Sequence, residues 1–328
     1  MAHGSGGRLS HELVDKCFLR FFRNPILDKL GDSATFELGQ RLAFTTDSYV
    51  VTPLFFPGGD IGKLAVCGTV NDLAMSGAVP LYLSASFIIE EGLAISELQR
   101  IAASMKAAAD EAGMTVVAGD TKVVNRGSAD KLFITTTGVG VIASGVDISP
   151  DNAGPGDTVI LSGTIGDHGI TILSQREGLS FSTDLRSDCA PLHQLVAEML
   201  QESHRINCLR DPTRGGLATS LNEIAEQSGV SIEIEEELIP VRDEVRGACE
   251  LLGLDPLHVA NEGKLIAIVE EDVAEKILER MKKHRYGERA AIIGRVGTGP
   301  RGRVVMKTPF GSRRILDMPS GELLPRIC

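Results

Sequence analysis

The 328 residues carry 33 basic and 44 acidic side chains, a net charge of −11, which argues against a nucleic-acid backbone as the main partner but leaves room for polyphosphates bridged by metal ions. No run of 18 apolar residues and no signal-peptide core is present, so no membrane span is expected and the protein is expected to be cytoplasmic. Six cysteines without a C-x-x-C pair exclude a zinc site or a disulfide framework, and the length predicts two domains.

His3-Gly4-Ser5-Gly6-Gly7 is too glycine-rich for a regular element and reads as a loose end or a loop over phosphates. Ser10 to Phe22 reads as a helix, Gly31 to Ala34 as a turn, and Arg41 to Asp47 alternates as a strand that delivers Asp47 to its end. Pro57 to Lys63 resembles a phosphate loop but fails the Walker pattern at Pro57 and Leu64, so no P-loop enzyme is predicted. Lys63 reads either as a solvated helix residue or, after its glycines, as a phosphate contact. Leu64, Cys67, Val70 and Ala74 mark one helix face and place Asn71 and Asp72 in its last turns. A carboxylate there opposes the helix dipole and calls for a positive neighbour such as a divalent metal.

Leu83 to Ile89 alternates as a strand, and Ser96-Glu97-Leu98-Gln99 reads as a capping box opening a helix that stops at Gly113. Thr115 to Ala118 reads as a short buried strand ending in Gly119-Asp120-Thr121-Lys122. Leu132 to Ala143 reads as a long strand with small or polar faces, suited to meeting a partner. The Pro/Gly-rich stretch from Asp147 to Asp157 marks a boundary, giving an N-terminal domain over 1–148, an α/β domain over 149–310 and a tail over 311–328.

The second domain is predicted to run strand 158–162, helix 192–202, helix 217–227, strand 231–235, helix 242–252, strand 265–269, helix 273–283 and strands near 292–296 and 304–307. His168, in Gly166-Asp167-His168-Gly169, reads as a proton donor or a helix cap, and Asp211 as a metal ligand or an N-cap. The prolines and glycines between Thr308 and Pro325 predict an extended, mobile arm that carries Cys328 beyond any element able to bury it. Asp32, Asp47, Asp72 and Asp120 lie near element ends beside small residues, as Mg²⁺ and nucleotide phosphates require.

Phe44-Thr45-Thr46-Asp47-Ser48, Gly59-Asp60-Ile61-Gly62-Lys63, Val70-Asn71-Asp72-Leu73-Ala74-Met75, Gly119-Asp120-Thr121-Lys122, Gly166-Asp167-His168-Gly169, Asp211-Pro212-Thr213-Arg214-Gly215-Gly216 and Leu324-Pro325-Arg326-Ile327-Cys328 together resemble the HypE family of hydrogenase maturation factors. That family lies in the superfamily of aminoimidazole ribonucleotide synthetase and selenophosphate synthetase. The resemblance implies a two-domain α/β fold of that type, a homodimer whose N-terminal domains pair into a β-barrel, and ATP with Mg²⁺ at the acidic motifs. It implies metal contacts from Asp32, Asp47, Asp72, Asp120 and Asp211, and nucleotide contacts from Lys63, Asn71, Asp72, Asp120, Thr121 and Asp47.

It further implies that Cys328, carbamoylated by a partner, HypF, is dehydrated with ATP to a thiocyanate, and that the cyano group passes to iron on a HypC and HypD scaffold. Glu262 and Lys122 are the candidate bases; burial favours the neutral form of either, so both stay open. Two other readings stay open beside this one, a synthetase acting on a small metabolite and a non-enzymatic carrier whose thiol ferries metal or persulfide.

Overall fold

The helix expected to show one apolar face is buried on nearly all sides. In the computed structural model, which describes residues 34–37, 39–177, 184–319 and 327–328, the first half runs β1 (Ala34–Glu37), β2 (Arg41–Tyr49), β3 (Phe55–Phe56), β4 (Gly59–Asp60), α1 (Ile61–Met75), β5 (Ala78–Glu90), α2 (Ile95–Glu111), β6 (Thr115–Val124) and β7 (Leu132–Ile142). Thirteen of the fifteen α1 residues are buried. Small residues allow it: a Cβ on Gly68 would lie 2.1 Å from the Tyr49 hydroxyl, and one on Gly62 would lie 2.6 Å from the Ile101 carbonyl. The expected helix 10–22, Asp32 and the first three residues of the expected turn lie outside the described residues, and its last, Ala34, opens β1.

The first sheet has the order β1-β2-β7-β5-β6. Along β7 buried and half-buried residues alternate, as its period-2 pattern predicts. β6 departs from expectation, being a ten-residue strand exposed along almost its whole length rather than a short buried one. It pairs in parallel with β5 and forms the sheet's edge, so its valines lack the second flanking strand their propensity suggested. The expected capping box is not made: the N-cap of α2 is Ala94, two residues before Ser96, and Ser96 lies inside the helix.

The second half continues β8 (Thr158–Leu161), α3 (Asp167–Glu177), α4 (His193–Glu202), β9 (Ile206–Arg210), α5 (Gly216–Ser228), β10 (Ser231–Glu235), α6 (Asp243–Leu252), β11 (Ile266–Val269), α7 (Glu271–Lys283), β12 (Ala291–Gly297), β13 (Arg303–Lys307) and β14 (Arg313–Ile315). Its strands form a mixed sheet in the order β14-β13-β10-β12-β8-β11-β9. β14 lies within the stretch expected to be a free arm; it pairs with β13, and Leu316 behind it is buried, with its carbonyl held by Asn222 Nδ2 at 2.8 Å. The chain is therefore tied down through Leu316. No described helix is long and apolar enough to cross a membrane.

The two halves share a core. α1 packs with Leu195, Val196 and Met199 of α4 and with Ala267 of β11 in one apolar cluster that also takes in Ile327. Asn71 staples this junction: its Nδ2 donates to the carbonyls of Ala190 and Glu262 at 3.1 and 3.4 Å, and its Oδ1 accepts the Leu192 amide at 2.8 Å. These contacts engage both ends of a fully buried amide. Asn71→Ala should therefore lower stability by about 2–3 kcal/mol, read by chemical denaturation, because three backbone groups lose a buried partner. A variant of normal stability with weakened ATP binding would instead make Asn71 a nucleotide contact.

Candidate active site around Cys328

Three loops of the second half converge where α1 meets them. Asn261 ties them together, its Oδ1 accepting the Gly166 amide at 2.7 Å and its Nδ2 donating to the Pro212 carbonyl at 2.8 Å. Gly215 and Gly216 have φ of +78° and +63°, and a Cβ on Gly216 would meet the Leu257 carbonyl at 2.6 Å. Glycine is needed there for the chain to turn into α5, and the turn presents Arg214. Asp188 accepts the Glu262 amide at 3.0 Å and pairs with Lys264 at 3.3 Å, which fixes the loop carrying Glu262.

Cys328 is partly buried at this junction, contrary to its expected place beyond any packed element. Arg214 Nε lies 3.1 Å from its Sγ. Burial pushes the thiol up to about 12, with Arg214 opposing the rise and the charges of Glu262 and Asp47 adding to it. Glu262 is itself buried, and its Oε1 has no hydrogen-bond partner among the described residues. Burial, and then the nearby Cys189, Asp211, Asp188 and Asp47, raise its carboxyl well above the usual carboxylate range. Asp47 is raised by burial too, against the Ser48 amide at 2.7 Å and the charge of Arg214. Tyr49, fully buried, is pushed far up by burial and by Asp47, Asp72 and Glu262. The sulfur thus sits against one guanidinium among buried acidic groups.

His168 caps no helix: both ring nitrogens are committed elsewhere, Nδ1 to Ser187 Oγ at 2.8 Å and Nε2 to the Ile327 carbonyl at 2.7 Å. Asp211 is buried beside Glu262, and the cap of α5 falls on Gly215. Asp72 accepts the Thr45 hydroxyl at 2.7 Å. Lys63 Nζ donates to the Gly58 carbonyl at 3.0 Å, and the first-turn amides of Gly62 and Lys63 are taken by the Asp60 side chain, so the start of α1 offers its amides to Asp60 rather than to a phosphate.

Asp120, Thr121 and Lys122 stand apart from this cluster on β6. Lys122 is exposed and paired with Asp120 at 3.1 Å, not buried as its use as a tuned base required. The register runs Asp47 to Thr136 to Ala85 to Gly119, one residue out of step with Asp120, which aligns with Ser86. Asp47 and Asp120 therefore point to opposite faces of the sheet, three strand spacings or about 14 Å apart. Arg214, Tyr49, Ser187 and Asp188 were not singled out by sequence reasoning. For Arg214 the signal was present, a guanidinium directly before two glycines.

No three or more His, Cys, Asp or Glu side chains among the described residues are grouped to hold a metal ion. Asp47 and Asp72, which both act on the Tyr49 phenol, offer at most a pair of carboxylates. That donor set fits magnesium arriving with a nucleotide, whose other ligands are phosphate oxygens and water, and does not fit a resident metal caged by protein alone.

Residues 30–142 match the N-terminal domain, and residues 154–307 the C-terminal domain, of AIR synthase related proteins. The chain is 58% identical over 329 residues to the carbamoyl dehydratase HypE of Azotobacter vinelandii, covering 100% of this chain and 96% of that protein. It is 48% identical to the carbamoyl dehydratase HypE of Escherichia coli K12, with 100% and 98% covered. Among solved structures it resembles HypE in a HypE–HypF complex, with TM-score 0.90, 52% identity, and 94% of this chain and 99% of that one covered. It also resembles HypE in complex with ATP, with TM-score 0.85, 54% identity, and 99% and 98% covered.

Proposed function

Because the chain belongs to the HypE family of AIR synthase related proteins, we propose that it dehydrates an S-carbamoyl group on Cys328 to a thiocyanate at the expense of ATP, and so supplies cyanide for the iron of NiFe hydrogenase. The observation that carries this reading is the placement of the Cys328 sulfur against Arg214, in a pocket that holds Glu262 and Asp47. A thiocarbamate S–C(=O)–NH₂ loses water only when its oxygen becomes a leaving group and its nitrogen gives up both protons. Transfer of the γ-phosphoryl group of ATP to the carbonyl oxygen meets the first need, forming the C–O–P link and releasing ADP. Expulsion of that oxygen as phosphate, with loss of the remaining N–H proton, leaves S–C≡N.

We assign to Glu262 the proton that leaves the nitrogen; burial raises its carboxyl well above the usual carboxylate range, which makes the carboxylate a stronger base. Arg214 is placed to hold the sulfur and to meet negative charge as it develops on the oxygen. Magnesium, when bound with the nucleotide, neutralises phosphate charge, and Asp47 and Asp72 are the residues that would hold it. Asp120, Thr121 and Lys122 look outward from an edge strand, so a nucleotide contact from them requires another chain to cover that edge. This supports a homodimer joined at the first sheet, whose edge exposes Val116, Val117 and Val123. HypF, which loads the carbamoyl group, and an iron scaffold of HypC and HypD are the partners proposed, in the cytoplasm.

The reading is tested by intact-mass spectrometry of the chain carbamoylated on Cys328. Addition of Mg-ATP should remove the mass of one water. A carbamoyl mass that persists while ATP is hydrolysed would overturn the reading and favour a small soluble substrate. Absence of ADP, with metal retained by the wild type and lost in Cys328→Ala, would favour the carrier.

A further inference from the structure

The contacts that bring Cys328 to its pocket are made by the residue before it. The Ile327 carbonyl only accepts, so His168 must carry its hydrogen on Nε2 and donate across 2.7 Å. Nδ1 is then the acceptor for the Ser187 hydroxyl at 2.8 Å, and Ser187 Oγ accepts the Cys189 amide at 3.1 Å. The ring is fully buried and lies edge-on to Phe56, with centroids 5.7 Å apart. Ser187 is anchored in turn through its own amide, which donates to the Pro57 carbonyl at 2.9 Å. Every group behind the imidazole is engaged, and this fixes one neutral tautomer, which burial also favours.

The side chain of Ile327 is held independently. It is 3% exposed, within the core shared by the two halves. A Cβ on Gly169 would lie 3.3 Å from its Cδ1 and 2.4 Å from Val259 Cγ1, so glycine there keeps the space open. With the 327–328 peptide clamped, only rotations about the Cys328 N–Cα and Cα–Cβ bonds separate the fixed plane from the sulfur. Holding the reacting group this closely is worth rate.

We propose that His168, Ser187 and Gly169 form a seat for the penultimate residue, reading an aliphatic side chain together with its carbonyl, and that His168 acts as a positioning residue for Cys328 rather than as an acid or base. The catalytic consequence rests on the dehydratase reading; the docking does not.

The test uses the full chain and the rate at which iodoacetamide labels Cys328, with the labelled site read by peptide mass. Ile327→Ala removes the side-chain anchor at a position outside every described helix and strand, His168→Phe keeps the ring and removes the donor, and His168→Gln restores a donor near the place of Nε2. Labelling should quicken about tenfold in Ile327→Ala and His168→Phe and return toward the wild-type rate in His168→Gln. Single-turnover dehydration should slow in the same order at unchanged ATP affinity. Unchanged labelling in both Ile327→Ala and His168→Phe overturns the seat, and slowed dehydration of His168→Phe with unchanged labelling would make His168 a proton-transfer group instead. Faster labelling in a protein whose wild type dehydrates nothing would leave the seat standing and remove the dehydratase reading.

Discussion

Glu262→Gln is expected to slow dehydration of the S-carbamoyl group by a factor of about 10²–10⁴, the usual worth of a positioned general base, while raising thermal stability at neutral pH. The two effects share a cause. Burial holds the Glu262 carboxyl well above its ordinary value of 4.5. A group whose folded value is raised contributes its full stability below the unfolded value and loses it as pH rises toward the folded one. Carrying an ionisable Glu262 therefore costs stability progressively above about pH 4.5. Glutamine has the same shape and no charge to desolvate, so the gap in melting temperature between variant and wild type should widen from pH 5 to pH 8. ATP affinity, measured by titration calorimetry, should not change, because Glu262 faces Cys328 and its acidic neighbours. An unchanged single-turnover rate would remove Glu262 from the proton transfer, and a melting temperature that falls at every pH would mean that the carboxylate is paired and stabilising.

The alternation of Ile232 and Ile234 with polar residues marked β10 at its observed bounds, and the same period predicted β7. Local pattern is enough where one strand face meets one core. It failed for β6, whose valines read as buried although the strand borders open space, because propensity does not report what lies on the far side of an edge. It failed for α1 for the converse reason: its glycines and small residues let neighbours approach on sides that no apolar stripe marks. Within the site, the residue types were readable and their grouping was not. Asp47 and Asp120 belong to similar motifs, yet pleat parity across three strands sends them to opposite faces, and parity requires a register that only the folded sheet supplies. The docking of Cys328 was hidden more deeply, since its seat is assembled from positions 168, 169 and 187 around residue 327.

The docked thiol bears on how the cysteine is loaded. Held at about 12 against an ordinary 9.0, the sulfur is protonated in its pocket at neutral pH and a weak nucleophile there. By the same sign argument, docking of the free thiol is at full strength below about pH 9 and weakens tenfold for each further pH unit until the docked value is reached. Acceptance of a carbamoyl group is therefore expected of the undocked chain. Once loaded, the sulfur has no proton to lose, and the penalty against ionisation no longer applies.

Arg214→Met is expected to cut single-turnover dehydration by about 10²-fold, the cost of removing one preorganised donor from a developing negative charge. Arg214 is the cation that both Asp47 and Cys328 feel, lowering each against the rise imposed by burial. With a neutral thioether in its place, Asp47 and Glu262 face one another and the sulfur without that compensation, and their folded values move further up. Raised carboxyls lose stability as pH rises, so the deficit of Arg214→Met in thermal unfolding should be larger at pH 8 than at pH 5. Arg214→Lys separates charge from geometry: an ammonium restores most of the pH dependence of stability but lacks the planar fork that meets sulfur and oxygen together, so the rate should stay depressed. A deficit equal at the two pH values would mean that Arg214 contributes packing alone. Full activity in Arg214→Met would place the stabilisation of the departing oxygen on other groups, and would leave the 3.1 Å contact to Cys328 as a feature of docking only.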